Sequence, residues 1–156
     1  MHPRPDQRHI RPEDCQRLAS TISQLKNTCK SLEFNIEGKP VAPFTPSTRT
    51  DFSDYPGFLN ILESCLPDQA TLVPDSNQQL TSDHGFDLTG RNKDLHALIK
   101  SIKQLGCRVS LFMDPDLDQI KRAADLDADR IELYTGPFAD AFIRNAQDNR
   151  IFEQHC

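Results

Sequence analysis

The chain has 156 residues, of which 37% are hydrophobic and 26% charged, and its formal net charge is −5 at pH 7. These values fit one globular domain, and the net acidity argues against a nucleic-acid partner, which requires a basic surface. No apolar run approaches the roughly 20 residues that span a membrane, and the N-terminus lacks a signal peptide, so we expect a cytoplasmic protein. The five widely spaced cysteines include no C-x-x-C pair, which predicts reduced thiols and no zinc site.

The first half of the chain alternates helix and strand signals around one long loop. Apolar residues spaced by three and four predict an amphipathic helix over 12–28. Strict polar–apolar alternation over 31–36 predicts a strand. A loop rich in Pro and Thr follows over 38–54, and its length is typical of functional or mobile loops. A short helix over 55–65 and a short strand over 71–73 complete this half.

The second half repeats the same alternation. A polar loop over 75–91 precedes a helix that Asn92 is expected to cap and that Gly106 is expected to end. The remaining predicted elements are a strand over 108–113, a helix from Asp114 through Ala124, a strand over 130–134 and a helix from about Phe138.

Alternating strands and helices imply a parallel sheet with right-handed crossovers. Four strands are clear, and the very start of the chain is a candidate for a fifth. A doubly wound sheet and a partial (β/α)8 barrel both fit that count. A doubly wound sheet needs apolar residues on both strand faces, whereas Glu33 and Glu132 lie opposite apolar neighbours. Because the inward face of a barrel turns polar near its carboxyl-terminal mouth, the composition favours a barrel.

Two carboxylates stand in predicted strands that do not need them for packing. Glu33 lies within the strand over 31–36, and Glu132 lies between Ile131 and Leu133. An unpaired buried carboxylate is costly, so each one either pairs with an arginine in a structural role or faces a wet cavity. Two such strands in one short domain favour a shared polar cavity.

The other candidate residues lie in the N-terminal segment and in one loop. Two imidazoles and two guanidiniums fall within the first nine residues: His2, Arg4, Arg8 and His9. Imidazoles shuttle protons near neutral pH and guanidiniums bind phosphate, although a disordered tail with chance histidines gives the same composition. Thr81 follows a strand, where a barrel offers ligands, although a plain polar turn is the alternative. No P-loop, nucleophile elbow or metal-ligand spacing appears, so the residues predict an acid–base site for an anionic substrate.

Several ordered segments resemble the pyridoxine 5′-phosphate synthase family. In chain order they are 2–10, 32–35, 72–75, 80–85, 108–114 and 130–136. The resemblance covers nearly the whole chain and is weakest over 38–54, which looks longer than in the family, and after Ala139. It implies a cofactor-free condensation of 3-amino-2-oxopropyl phosphate with 1-deoxy-D-xylulose 5-phosphate, which yields pyridoxine 5′-phosphate, phosphate and water.

The resemblance also implies roles for individual residues. His2 and Glu33 match the family's general bases, and Glu132 matches its transition-state-stabilising carboxylate. The matches to positions that hold the deoxyxylulose phosphate are Arg4, His9 and Thr81. The implied partners are phosphorylated small molecules, with a homo-oligomer for a complete barrel, no membrane and no metal ion.

The chain is short for a barrel of this kind, which has about 250 residues. The resemblance implies that 1–156 form a single incomplete barrel domain, about strands 2 to 6, without the first strand and the last two βα units. The family's general-acid histidine and glycine-rich phosphate site belong to those absent units. We therefore expect no synthase turnover and poor folding of this chain by itself. The alternative is an inactive remnant that associates with a full-length synthase.

Overall fold

The computed structural model describes residues 1–76, 79–90 and 92–144, in which helices and strands alternate. The elements in chain order are α1 (Pro12–Leu25), β1 (Asn35–Gly38), α2 (Phe58–Cys65), β2 (Gln69–Leu72), α3 (Lys93–Gln104), β3 (Arg108–Met113), α4 (Leu117–Asp125), β4 (Arg130–Leu133) and α5 (Gly136–Arg144). The four strands form one parallel sheet in the order β1-β2-β3-β4. The predicted α/β class with a parallel sheet is confirmed. No helix in the described ranges has the length and apolar character needed to cross a membrane.

Met1 extends the sheet by one residue beyond β1. Its amino group donates a hydrogen bond to the carbonyl of Asn35 at 2.9 Å, and its carbonyl accepts one from the N–H of Glu37 at 2.7 Å. This is the hydrogen-bond pattern of a parallel ladder in which Met1 stands opposite Ile36. The next residue, His2, therefore lies beside Glu37.

The apolar core lies on one face of the sheet. Strand residues that point to this face belong to a single hydrophobic cluster: Ile36, Ala70, Leu72, Val109, Leu111 and Met113. The same cluster includes residues of four helices: Cys15 of α1, Phe58, Ile61 and Leu62 of α2, Ile99 and Ile102 of α3, and Ala123 of α4. Successive strand residues point to opposite faces, so the buried Val73 and Phe112 lie on the other face, outside this cluster. Because α1 to α4 cover the same face, the described part is not doubly wound.

The first strand begins later than predicted. The sequence predicts a strand over 31–36, whereas β1 covers Asn35–Gly38. The N–H of Phe34 donates to Oδ2 of Asp68 at 2.7 Å, and Nζ of Lys26 donates to the same oxygen at 2.6 Å. Directly ahead of β1, the N–H of Phe34 is thus bound by a side chain, and only its carbonyl accepts a hydrogen bond from β2, from the N–H of Gln69 at 3.2 Å. Glu33 consequently lies outside the sheet and is exposed.

The second helix also begins later than predicted. Thr45 and Tyr55 form an isolated antiparallel bridge, with N–H to carbonyl distances of 2.8 and 2.9 Å. Gly57 then has a φ of +99°, a left-handed conformation that glycine adopts without a steric cost. The chain becomes helical only after this turn, so α2 begins at Phe58.

Other boundaries are close to their predictions. The predicted strand over 108–113 is confirmed, and Gly106 ends α3 with a φ of +84°. Asn92 precedes α3 as predicted, but its side-chain amide donates to the carbonyl of Leu88 at 2.9 Å, so it does not cap the helix. Asp116 does cap α4, because its carboxylate accepts the N–H groups of the first two residues after Leu117 at 2.9 and 3.0 Å. Positions 77, 78 and 91 of the predicted polar loop lie outside the described residues.

The long loop over 38–54 is fastened to the start of α1 through Phe52. The guanidinium of Arg49 lies 3.6 Å from the centre of the Phe52 ring, and that of Arg11 lies 5.1 Å from it. The N–H of Ser47 donates to the carboxylate of Asp54 at 2.8 Å. These contacts give the loop a defined conformation against the body of the sheet.

Candidate active site

The face of the sheet opposite the core cluster carries a row of polar side chains. Glu37, Thr71 and Ser110 stand at the same register on three adjacent strands, so their side chains point to the same face. Thr71 and Ser110 are nonetheless buried, at 0% and 2% exposed. The Thr71 hydroxyl donates to the side-chain oxygen of Asn35 at 3.1 Å. These groups form a polar row on the face of the sheet opposite the core cluster.

His2 and Glu37 form a direct contact on this face. Nδ1 of His2 lies 2.9 Å from Oε1 of Glu37, and the two side chains are 18% and 25% exposed. Burial alone would raise the pKa of Glu37, but the hydrogen bond and charge of His2, helped by the N-terminal ammonium and Arg4, hold it below its usual range. When His2 is neutral, an ionised Glu37 favours its Nδ1–H tautomer, in which Nε2 can accept a proton.

Glu132 lies on the same polar face, and its pKa moves in the opposite direction. The residues of β4 are exposed, yet partial desolvation of the carboxylate and the negative charge of Glu37 raise the pKa of Glu132. The Thr71 hydroxyl and the N-terminal ammonium oppose this rise without cancelling it. Two neighbouring carboxylates whose pKa values are pushed apart are the arrangement in which one acts as a base and the other donates a proton.

Glu33 is not part of this group. Its carboxylate lies 2.6 Å from Nη2 of Arg108 and 3.6 Å from Nη1 of Arg130, the residues that begin β3 and β4. The ion pair with Arg108 lowers the pKa of Glu33, which keeps the carboxylate ionised. The structure therefore gives Glu33 the structural ion pair that the sequence leaves open as an alternative. It stands four positions before Glu37, about 13 Å of extended chain at 3.3 Å per residue.

Arg4 is buried against the loop that follows β2. Nη1 of Arg4 donates to Oδ2 of Asp75 at 3.0 Å, and Nη2 donates to the carbonyl of Gln79 at 2.8 Å. The side chain is only 4% exposed, so the N-terminal segment is not a disordered tail. The guanidinium of Arg8 reinforces this contact by donating to the carbonyl of Leu80 at 3.2 Å.

The other two predicted phosphate contacts are exposed. Thr81 lies in the loop that Arg4 and Arg8 hold, and His9 lies just before α1. Gly85 anchors this loop to the carboxyl end of β3, where its N–H donates to the carboxylate of Asp114 at 3.1 Å. The loop is therefore fixed at both ends, with Thr81 between the two attachments.

Two residues of the site are missed by the sequence reasoning. Glu37 continues the same alternation that singles out Glu33, and extending the predicted strand by one residue would have found it. Asp75 stands in the segment 72–75 that carries part of the family resemblance, but nothing in the local pattern identifies its partner. No group of three or more His, Cys, Asp or Glu side chains in the described ranges is arranged to hold a metal ion.

A parallel α/β sheet with an imidazole–carboxylate pair and a second carboxylate on its polar face defines a protein equipped for acid–base chemistry. The family model described as "Pyridoxal phosphate biosynthesis protein PdxJ" matches residues 1–155. The chain belongs to this family, as its sequence motifs indicate.

Curated relatives agree with this assignment. A protein of Xanthomonas axonopodis pv. citri named pyridoxine 5′-phosphate synthase is 48% identical over 151 residues, which are 97% of this chain and 54% of the relative. Proteins of the same name from Xanthomonas campestris pv. campestris (strain B100) and Xylella fastidiosa (strain M23) are 50% and 46% identical over 141 and 140 residues. Each alignment covers 90% of this chain and 50% or 49% of the relative. The chain thus spans about half the length of the curated relatives that it matches.

Proposed function

We propose that this chain provides the acid–base part of a pyridoxine 5′-phosphate synthase. The reaction condenses 3-amino-2-oxopropyl phosphate with 1-deoxy-D-xylulose 5-phosphate and closes a pyridine ring. The observation that carries the proposal is the contact of 2.9 Å between His2 and Glu37, beside a second carboxylate, in a chain whose relatives are named as such synthases. Ring closure at carbonyl and imine carbons needs repeated proton transfers, for which this group is suited.

In this proposal His2 is the proton acceptor and Glu37 is its ionised partner. The carboxylate holds Nδ1–H and stabilises the imidazolium that forms when Nε2 takes a proton from substrate. Glu37 replaces Glu33 as the carboxylate of the pair, because Glu33 lies outside β1 and is bound to Arg108. The resemblance implies a catalytic carboxylate near Glu33, and the contact with His2 supports Glu37 for that role.

Glu132 is proposed as the residue that stabilises charge in the transition state. A carboxyl group with a raised pKa carries a proton for a larger fraction of the time near neutral pH, so it can donate a hydrogen bond to a developing oxyanion. Its pKa depends on the charge of Glu37, so the two carboxylates titrate as a coupled pair. Proton transfer to His2 therefore changes the field at Glu132.

The substrate phosphate is proposed to bind at the loop after β2. Arg4 of the N-terminal segment contacts the loop that carries Thr81, and His9 is exposed at the end of the N-terminal segment. A guanidinium, a hydroxyl and an imidazole are suitable donors for phosphate oxygens. No cofactor is needed in this chemistry, because the new C–N and C–C bonds form at carbonyl and imine carbons with loss of phosphate and water and without net oxidation or reduction.

The fold is proposed to be part of a (β/α)8 barrel. Helices α1 to α4 pack on one face of a parallel sheet whose other face is polar, which is the arrangement of a barrel wall. The curated relatives are about twice as long as their matched regions, so they have room for the remaining units. In that arrangement the polar face points to the barrel interior, and β4 is an internal strand.

A chimera tests the catalytic proposal. The region of the Xanthomonas axonopodis relative that aligns with this chain is replaced by this chain, and formation of pyridoxine 5′-phosphate is measured at steady state. We expect turnover that is abolished by His2→Ala. The expected loss is roughly 100-fold or more, the usual contribution of a positioned acid–base group.

The chimera needs two controls. Circular dichroism and the unfolding midpoint must match those of the intact relative, so that a loss of turnover reports chemistry. His96→Ala changes an exposed histidine of α3 and is expected to leave turnover unchanged. A folded chimera without turnover, or one that keeps full turnover after His2→Ala, contradicts the proposal.

A second candidate function is that of a non-catalytic remnant that associates with a full-length synthase. The observation in its favour is that all residues of β4 are exposed, including the apolar Ile131 and Leu133 at 36% and 42%. An exposed strand edge is a template for pairing with another chain. Co-purification of the tagged chain with the Xanthomonas axonopodis relative, together with no turnover of the folded chimera, supports this alternative.

A further inference from the structure

A buried ion pair between Arg4 and Asp75 takes no part in the proton transfers described above. The two side chains are 4% and 3% exposed and lie 71 positions apart in the chain. The pair therefore joins the N-terminal segment, which carries His2, to the loop that follows β2. Removing either partner leaves an uncompensated buried charge, which is strongly destabilising for the arrangement around it.

The same carboxylate oxygen also holds the loop itself. Oδ2 of Asp75 accepts the hydrogen bond of Arg4 and a second one from the Ser82 hydroxyl, both at 3.0 Å. Ser82 directly follows Thr81, so this bond fixes the backbone beside a proposed phosphate contact. The other oxygen, Oδ1, is buried without a donor among the described residues. The hydrogen bonds found for the carboxylate are thus concentrated on the oxygen that faces Arg4 and Ser82.

The guanidinium of Arg4 has more N–H groups than its contacts with the loop use. A guanidinium has five N–H groups, and three of those of Arg4 are directed to the loop: one to Asp75 and one each to the carbonyls of Ser76 and Gln79. The other two N–H groups have no acceptor among the described residues. Because the planar guanidinium is held on two sides, these donors have a fixed direction, which reduces the entropy lost when an anion binds.

We propose that Asp75 is a positioning residue that orients the guanidinium of Arg4 and, through Ser82, the backbone beside Thr81 for one phosphate group of the substrate. This inference deepens the proposed function, on which it rests, because Arg4 and Thr81 are the phosphate contacts proposed there. Asp75 itself does not touch the substrate. It makes two donors from distant parts of the chain act as one phosphate site.

Titration of the full chain with inorganic phosphate, followed by NMR, tests this inference. Asp75→Asn keeps the shape of the side chain and removes its charge. It is expected to weaken phosphate binding by roughly tenfold or more, because a hydrogen bond to a charged group is lost. It is also expected to accelerate hydrogen exchange of the Arg4 guanidinium. Asp83→Asn, which changes a carboxylate of the same loop that is 57% exposed, is expected to leave both quantities within about twofold of the wild type.

Two further variants keep the test decisive if Asp75→Asn does not fold. Ser82→Ala retains the Arg4–Asp75 pair and is expected to weaken phosphate binding by a smaller factor, without faster exchange at Arg4. Asp75→Glu retains the charge and is expected to recover part of the lost affinity. Wild-type affinity in Asp75→Asn overturns the inference, and if that variant does not fold, wild-type affinity in Ser82→Ala overturns it instead.

Failure of the inference can be told apart from failure of the proposed function. If the wild-type chain binds no phosphate, the proposed phosphate site is wrong. Hydrogen exchange of the Arg4 guanidinium then decides alone whether Asp75 orients Arg4. Equal exchange rates in Asp75→Asn and Asp83→Asn overturn that orientation as well.

Discussion

At the residue scale, the chemistry depends on how the surroundings of two carboxylates differ. Glu37 accepts a hydrogen bond from His2, and its pKa is lowered. Among the described residues no basic side chain forms an ion pair with Glu132, and its pKa is raised by desolvation and by the charge of Glu37. The surroundings thus favour ionisation of this side-chain type at Glu37 and disfavour it at Glu132.

These opposite directions predict opposite effects of pH on stability. Because the folded-state pKa of Glu37 lies below that of the unfolded chain, about 4.3, its stabilisation is complete above that value and is lost as pH falls through the folded pKa. Glu37→Gln is therefore expected to lower the unfolding midpoint at pH 7, and the difference from the wild type shrinks below about pH 4.3. The midpoint is measured by thermal unfolding between pH 3 and pH 8 for both proteins.

Glu132→Gln is expected to behave in the reverse way. The folded-state pKa of Glu132 lies above the unfolded value of about 4.3, so its ionised form disfavours folding as pH rises through the folded pKa. The variant should match the wild type in acid and unfold at a higher temperature near pH 7. A lower midpoint for Glu132→Gln at pH 7, with no dependence on pH, contradicts the assigned direction.

At the element scale, the parallel strands are held by the cluster on the core face. Leu72 of β2 is fully buried within this cluster, whereas Leu80 in the loop beyond it is 79% exposed. Leu72→Ala is expected to lower the free energy of unfolding by about 2–5 kcal/mol, through lost burial and the cavity left behind. Leu80→Ala is the matched control and should change it by less than about 0.5 kcal/mol. Urea unfolding measures both values, and equal effects would contradict the assigned core.

The loop after β2 depends on close packing at Gly85. A Cβ at this position would lie 2.1 Å from the backbone nitrogen of Asp114 and 2.4 Å from the carbonyl carbon of Met113, which leaves no room for a side chain. Gly85→Ala is expected to detach the loop from β3 and to increase proteolysis between residues 79 and 90. Gly90→Ala meets nothing within 4 Å and is the control. Equal proteolysis of the two variants would show that the contact does not anchor the loop.

The sequence predicts an element well where its residue pattern is long. It predicts the boundary of an element less well where a side chain from a distant position sets that boundary. The strand over 108–113 and the exit of α3 at Gly106 follow directly from local composition. The start of β1 does not, because it depends on Asp68, which lies more than thirty positions away and binds Phe34. The prediction of Glu33 and not Glu37 follows the same boundary, since the predicted strand over 31–36 contains Glu33 and ends before Glu37.

Contacts between distant positions are the part of the site that no local pattern contains. The Arg4–Asp75 pair spans 71 positions, and its partners are identified only by the fold. The choice between a structural ion pair and a wet cavity for Glu33 and Glu132 is likewise open in the sequence. For Glu33 the choice is decided by the arginines that begin β3 and β4, since Arg108 and Arg130 both form ion pairs with it.

At the scale of the whole molecule, β4 and α5 are more exposed to solvent than the other strands and helices. No residue of either element is buried, and Ile131 and Leu133 point to the same side as the core residues of β3. An exposed apolar strand edge promotes association between chains, which a charged side chain disfavours. This surface is where the sequence-based expectation of poor folding can be tested.

Ile131→Lys is expected to reduce concentration-dependent association of the purified chain. Val41→Lys is the control, because Val41 is 60% exposed in the distant loop over 38–54. Both variants add one positive charge, so an effect of net charge alone would appear in each. Sedimentation velocity over a tenfold range of concentration measures association, and an equal decrease in the two variants contradicts a role for the β4 edge.

The most direct test of the proposed catalytic pair compares kcat of Glu37→Gln with kcat of Glu33→Gln in the chimera with the Xanthomonas axonopodis relative. Both substitutions remove one negative charge from a glutamate that contacts a basic side chain. We predict that Glu37→Gln lowers kcat for pyridoxine 5′-phosphate formation by roughly 100-fold or more, whereas Glu33→Gln retains wild-type kcat. Loss of turnover in Glu33→Gln with normal turnover in Glu37→Gln would contradict the assignment of Glu37 as the partner of His2.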